Sequence, residues 1–129
     1  MKFLCLAYEE ETTLNAMSEA EWRTLRKETL DYVDALRANG RLLEARPLQS
    51  ATHAATVRVR NGQLSVTDGP FAETKEQLGG FILIQARDLN EAIHVASRIP
   101  PGRLGSIEVR PIQELAQQDE TSERSMPCK

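Results

Sequence analysis

Two short stretches of the chain are apolar at both alternating positions. In residues 2–8, Phe3, Cys5 and Ala7 point one way while Leu4, Leu6 and Tyr8 point the other, and Phe81-Ile82-Leu83-Ile84 repeats the pattern after Gly79-Gly80. Such strands are covered on both faces. Residues 41–49 carry Leu42, Leu43, Ala45 and Leu48 but are broken by Pro47, and residues 106–112 alternate Ile107, Val109 and Pro111 with Glu108 and Arg110. A missing amide and a half-polar face both suit sheet edges. Helical spacing appears twice. Ser18 and Glu21 form a capping box, after which Trp22, Leu25, Val33 and Leu36, with Thr29 and Tyr32 in the gap, hold one face until Asn39-Gly40, so a helix is expected over 18–39. Asp88 and Glu91 open a second helix with Leu89, Ala92, Ile93, Ala96 and Ile99 on its stripe, and Pro100-Pro101 ends it. Glu9 to Met17 reads as a polar connector.

Thr56 to Arg60, Asn61-Gly62 and Gln63 to Thr67 spell a β-hairpin, because a two-residue Asn-Gly loop accepts the positive φ that a type I′ turn demands. That loop pairs Arg60 with Gln63, Val59 with Leu64, Arg58 with Ser65 and Val57 with Val66. Apolar meets apolar and polar meets polar, so one buried face and one wet face are expected, the latter carrying Arg58 and Arg60.

With the hairpin set aside, the order is β-α-β followed by β-α-β, which is an α+β, ferredoxin-like βαββαβ arrangement with both helices on one face of an antiparallel sheet. Right-handed crossovers place the first and third core strands in the middle, and those are the two doubly apolar segments. Helices cover one face only. Leaving the other in water forgoes roughly 1.5–3 kcal/mol per large side chain, so a homodimer packed sheet to sheet is expected, with the hairpin as part of the seal. The alternative is a hairpin folded back over that face within one chain. Residues 1–112 form the domain, and 113–129 read as a polar, disordered tail.

At 129 residues, one core of this size fills the chain. Lys and Arg number 16 against 19 Asp and Glu, a net charge of −3 that provides no basic stripe for nucleic acid. The opening apolar run is too short for a signal peptide and runs into Glu9-Glu10-Glu11, and no stretch reaches membrane-spanning length; no membrane association and a cytoplasmic location are expected. Cys5 falls in a strand and Cys128 in the tail, without the spacing of a metal site, so no metal is expected.

The densest chemistry lies in Asp68-Gly69-Pro70-Phe71-Ala72-Glu73-Thr74-Lys75-Glu76. Gly69 frees the backbone, Pro70 fixes it, and Phe71 is expected to anchor the loop in the core. If the loop curls, Asp68 meets Glu73 and Lys75, and carboxylates in a shared pocket acquire the split pKa values that proton transfer needs. The other reading is a rigid turn with solvated charges. His53 offers a titrating group before the hairpin, and Arg58 an anion clamp; a loop histidine and a solvated strand face are the bland alternatives. His94 is expected on the exposed side of its helix, and Trp22 and Tyr32 in the core.

The run Val66 to Phe81, with Met1-Lys2-Phe3-Leu4, Val57 to Gly62, Ala96 to Pro100 and Ile107 to Pro111, resembles the YCII-related family in its DGPF-domain branch over about residues 1–112. The resemblance implies a dimeric α/β-barrel, ferredoxin-like domain that works without a cofactor. It implies a small-molecule ligand: a few relatives are lyases or dehalogenases acting on lactone-like molecules. Many members are encoded near extracytoplasmic-function sigma factors, which makes such a factor a candidate partner. Classical members pair an Asp with a His on the first helix. No His lies between Ser18 and Asn39, so Asp68, Glu73 and Lys75 become the local candidates. Two functions stand side by side: a cofactor-independent acid/base enzyme for a small polar or anionic molecule, with Asp68 and Glu73 catalytic and Lys75, Arg58, His53, Gly69, Pro70 and Phe71 binding substrate; or a noncatalytic dimeric module that senses a ligand or contacts a protein.

Overall fold

A computed structural model describes residues 1–115. The tail beyond residue 115, with Cys128, lies outside the described residues, so the expected disorder of 113–129 is not addressed there. The described chain is mixed α+β. Strand β1 (Lys2–Glu9) leads through a short helix α1 (Glu11–Asn15) into the long α2 (Glu19–Ala38) and β2 (Leu42–Pro47). A 3-10 turn (Ala51–His53) then precedes the hairpin β3 (Ala55–Arg60) and β4 (Gln63–Asp68), and β5 (Gln77–Gln85), α3 (Leu89–Ala96) and β6 (Gly105–Pro111) complete it. The main sheet is antiparallel in the order β2-β5-β1-β6, compatible with a ferredoxin-like arrangement, and its two central strands are the doubly apolar ones.

Local chemistry explains the element ends. Ser18 accepts from the Glu21 amide at 3.1 Å while the Glu21 carboxylate accepts from the Ser18 amide at 2.9 Å, closing the capping box. Asp88 caps α3 by accepting from Glu91 N, but the Glu91 carboxylate takes the Arg87 amide, one residue further back than a capping box requires. The hairpin turns on Asn61 (φ 52°) and Gly62 (φ 75°), and all four expected pairs are present.

One face of the sheet is covered. Phe3, Cys5, Ile82 and Ile84 pack beneath Val33 and Leu36 of α2 and Ala92, Val95 and Ala96 of α3, and Phe3 and Ile84 are fully buried. Burial pushes the Cys5 thiol up to about 11, which makes it an inert core residue. On the other face, the pairing aligns Glu44, Leu83, Leu4 and Arg110 in one row and Arg46, Phe81, Leu6 and Glu108 in the next. Two apolar strands are thus framed by charged edges, where Arg46 pairs with Glu44 at 3.0 Å and Arg110 with Glu108 at 2.7 Å.

Several expectations need correction. Glu11 to Asn15 is a helix rather than a plain connector, too short to show periodicity. The stripe of α3 is rotated: Val95 is buried while Leu89 and Ile93 are about half exposed. Tyr32 donates its hydroxyl to the Val95 carbonyl and belongs to the core margin, but Trp22 is exposed, with the Arg26 guanidinium 5.2 Å over its ring. The hairpin forms its own two-stranded sheet and has no buried face in the single chain: Val57, Val59, Leu64 and Val66 are 58% to 68% exposed. It therefore does not fold back over the open face of the main sheet. His94 is exposed, as expected.

Candidate functional site

The loop between β4 and β5 is held at both ends. At its start, Gly69 adopts φ 96°, donates its amide to the Ala54 carbonyl at 2.7 Å and accepts from the Thr56 hydroxyl at 2.9 Å. A side chain at that φ is strained, so glycine is required. At its end, the Gln77 side-chain amide donates to the carbonyls of Ala72 (3.0 Å) and Thr74 (2.9 Å), and Thr74 donates to the Glu76 carbonyl at 2.7 Å. These side-chain bonds give the loop a fixed shape without regular structure.

The loop borders two concavities. The smaller, about 560 Å³, gathers Asp68, Glu73 and Lys75 with Glu10 and Glu11 from the start of α1. The three residues singled out in the loop therefore share one cavity, although among the described residues no hydrogen bond or ion pair joins them. Four carboxylates face one ammonium. The larger, about 870 Å³, is lined chiefly by apolar groups, including Leu48, Val57, Pro70, Phe71 and Leu78, together with Tyr8, His53 and Glu76. Ala51, Pro70, Thr74 and Gln77 border both.

The structure divides the other candidates. His53 reaches the loop from the 3-10 turn, but on the side of the larger cavity, with its Nδ1 2.8 Å from the Gln49 amide oxygen. Phe71 does not anchor the loop in the core; it is 79% exposed and, with Pro70, lines the larger cavity. Arg58 stands on the hairpin face opposite the valines and lines neither cavity. Among the described residues no cluster of His, Cys, Asp and Glu has a metal-binding arrangement, and no helix is long and apolar enough to cross a membrane.

Glu11 and Gln77 were not singled out from the sequence. Glu11 accepts the Ala51 amide and the Ser50 hydroxyl, both at 2.8 Å, tying α1 to the turn that carries His53. Those bonds hold its carboxyl below the usual range, whereas Glu9, two residues earlier, is pushed above it by burial and by the charge of Glu11. The opposite shifts give opposite pH signatures. A lowered folded-state pKa contributes stability above the unfolded pKa that is lost as pH falls through the folded value. A raised one subtracts stability as pH climbs from the unfolded value through the folded one. Glu11→Gln is therefore expected to lower the stability, and with it the melting temperature, at pH 7, by about 1 kcal/mol or less given its exposure to solvent, and to converge with wild type once acid protonates the folded-state carboxyl. Glu9→Gln is expected to raise it at pH 7 and likewise converge in acid. Melting curves at pH 7 and in acid check both signs, and a matching sign for the two variants would refute this account.

A family model described as the YCII-related domain matches residues 1–116. An uncharacterised protein of Rhizobium meliloti (strain 1021) is 40% identical over 118 residues, which cover 87% of this chain and 92% of that protein.

Proposed function

The chain belongs to the YCII-related domain family, and from that premise we propose that it is a cofactor-independent enzyme of the DGPF-type branch that moves a proton on a small polar molecule. The observation that carries this reading is the meeting of Asp68, Glu73 and Lys75 on one concavity. One carboxylate accepts a proton from a substrate carbon or hydroxyl and, as the acid so formed, returns one, the second carboxylate orients the reacting group, and the ammonium of Lys75 stabilises the oxygen on which negative charge grows. Anionic substrates are disfavoured, since Glu10, Glu11, Asp68 and Glu73 leave them Lys75 alone as a partner in this cavity. The test is deuterium incorporation from D2O into a panel of small metabolites, followed by NMR. Asp68→Asn and Glu73→Gln are each expected to slow exchange about 100-fold or more with unchanged melting temperatures. Exchange that persists at the wild-type rate in both variants would remove the acid/base reading.

The protein is further proposed to act as a homodimer of ferredoxin-like subunits, joined through the uncovered sheet face. The second reading, a noncatalytic module that binds a protein such as an extracytoplasmic-function sigma factor, is favoured by the exposed apolar face of the hairpin. It differs in its outcome at one residue: Asp68→Asn then lowers the melting temperature and leaves no exchange activity to lose.

A further inference from the structure

We infer that the larger cavity is a separate binding site for a hydroxylated aromatic or alicyclic molecule. It stands apart from the acid/base reading, because neither Asp68 nor Glu73 lines it. Its volume of about 870 Å³ falls in the range of small-molecule pockets. Leu48, Val57, Phe71 and Leu78 offer an apolar wall to which a ring can stack. Phe71 is the telling residue. It is 79% exposed and sits on a loop whose Ala72 and Thr74 carbonyls are held by Gln77, so covering its ring removes apolar surface from water while ordering little of the backbone that is not already ordered.

The polar groups specify the rest of the ligand. The Gln49 oxygen accepts from His53 Nδ1, which puts the proton of the neutral ring on that nitrogen and leaves Nε2 as an acceptor. Ser106 donates to Glu76 Oε1 at 2.9 Å, holding the carboxylate in place while its second oxygen stays an acceptor. The lining hydroxyls of Ser50, Thr56 and Thr74 already donate to Glu11, Gly69 and Glu76, so the two acceptors favour a ligand that donates, the Gln49 amide nitrogen suits one that also accepts, and the charge on Glu76 turns away a carboxylate. A hydroxyl on a ring meets these conditions.

Phenol, toluene and benzoate, titrated separately into the 15N-labelled full chain, test this. Phenol is expected to shift the amides of Leu48, Phe71 and Leu78 saturably, binding at least about fivefold more tightly than toluene, with benzoate weakest. Phe71→Ala should weaken phenol about fivefold or more without changing the circular dichroism, and His53→Ala should erase the preference over toluene. Asp68→Asn should leave phenol binding intact, so failure of the proton-transfer reading and failure of this site are distinguishable. Three outcomes would overturn it: no saturable shift up to about 10 mM, equal binding of toluene and phenol, or shifts of the same amides with protein concentration alone, which would give the surface to a second copy.

Discussion

Phe3→Ala is expected to cost about 3–5 kcal/mol of stability, and Leu4→Ala, one residue along the same strand, much less at low protein concentration. Phe3 is fully buried between the sheet and helices α2 and α3, opposite Ile84 in register, and removing its ring leaves a void that backbone-bonded neighbours on β5 and β6 are poorly placed to fill. For a domain of this size that loss lowers the midpoint by about 10–25 °C. Leu4 lies on the other face, between Leu83 and Arg110. Its truncation removes apolar surface that the single chain leaves partly wet. Urea denaturation at two protein concentrations separates the two effects: the Phe3→Ala penalty stays constant, whereas the Leu4→Ala penalty grows with concentration if that face is an interface. Equal penalties at both positions would mean that the two parities of β1 are not different environments.

That contrast also marks how far the sequence could be read. The pattern of β1 and β5 located the centre of the sheet because a strand apolar at both parities has no wet side, and the central order follows from crossover handedness. The hairpin register was legible to the residue, since Asn61-Gly62 fixes the turn and period-two pairing does the rest. Its burial was not. Pairing decides which side chains share a face, but only tertiary packing decides whether anything covers that face. The same gap explains α3, where eight residues span barely two turns and Ile93 and Val95 compete for one stripe. In the site, Asp68, Glu73 and Lys75 were visible because they lie within one short segment. Glu11 was not, for its partners Ser50 and Ala51 stand 39 and 40 residues away. Nor was Gln77, whose function is to hold carbonyls, a role that leaves no mark in composition.

Phe81→Glu is expected to convert the proposed dimer into a monomer, weakening self-association about 100-fold or more. Phe81 is aligned with Leu6 on β1 and Arg46 on β2, at the middle of the uncovered face, and Leu4 and Leu83 occupy the next row. An apolar centre ringed by Glu44, Arg46, Glu108 and Arg110 is the usual anatomy of a protein interface, in which central aromatic groups are desolvated and charges remain at the rim. In a two-fold pair, each substitution is felt twice, because the same patch meets itself, and two carboxylates would be buried near one another with no added cation. The core beneath is separate: Ile82 and Ile84 point to the helices and keep their contacts, so the variant should retain its circular dichroism while its sedimentation changes. Arg46→Glu serves as the rim control, expected to alter salt dependence with a much smaller change in association. A wild-type protein that sediments as a single subunit at about 100 μM would overturn the dimer directly. A Phe81→Glu variant that stays dimeric would instead move the contact to the exposed valines of the hairpin, where Val59→Glu and Val66→Glu would then carry the effect.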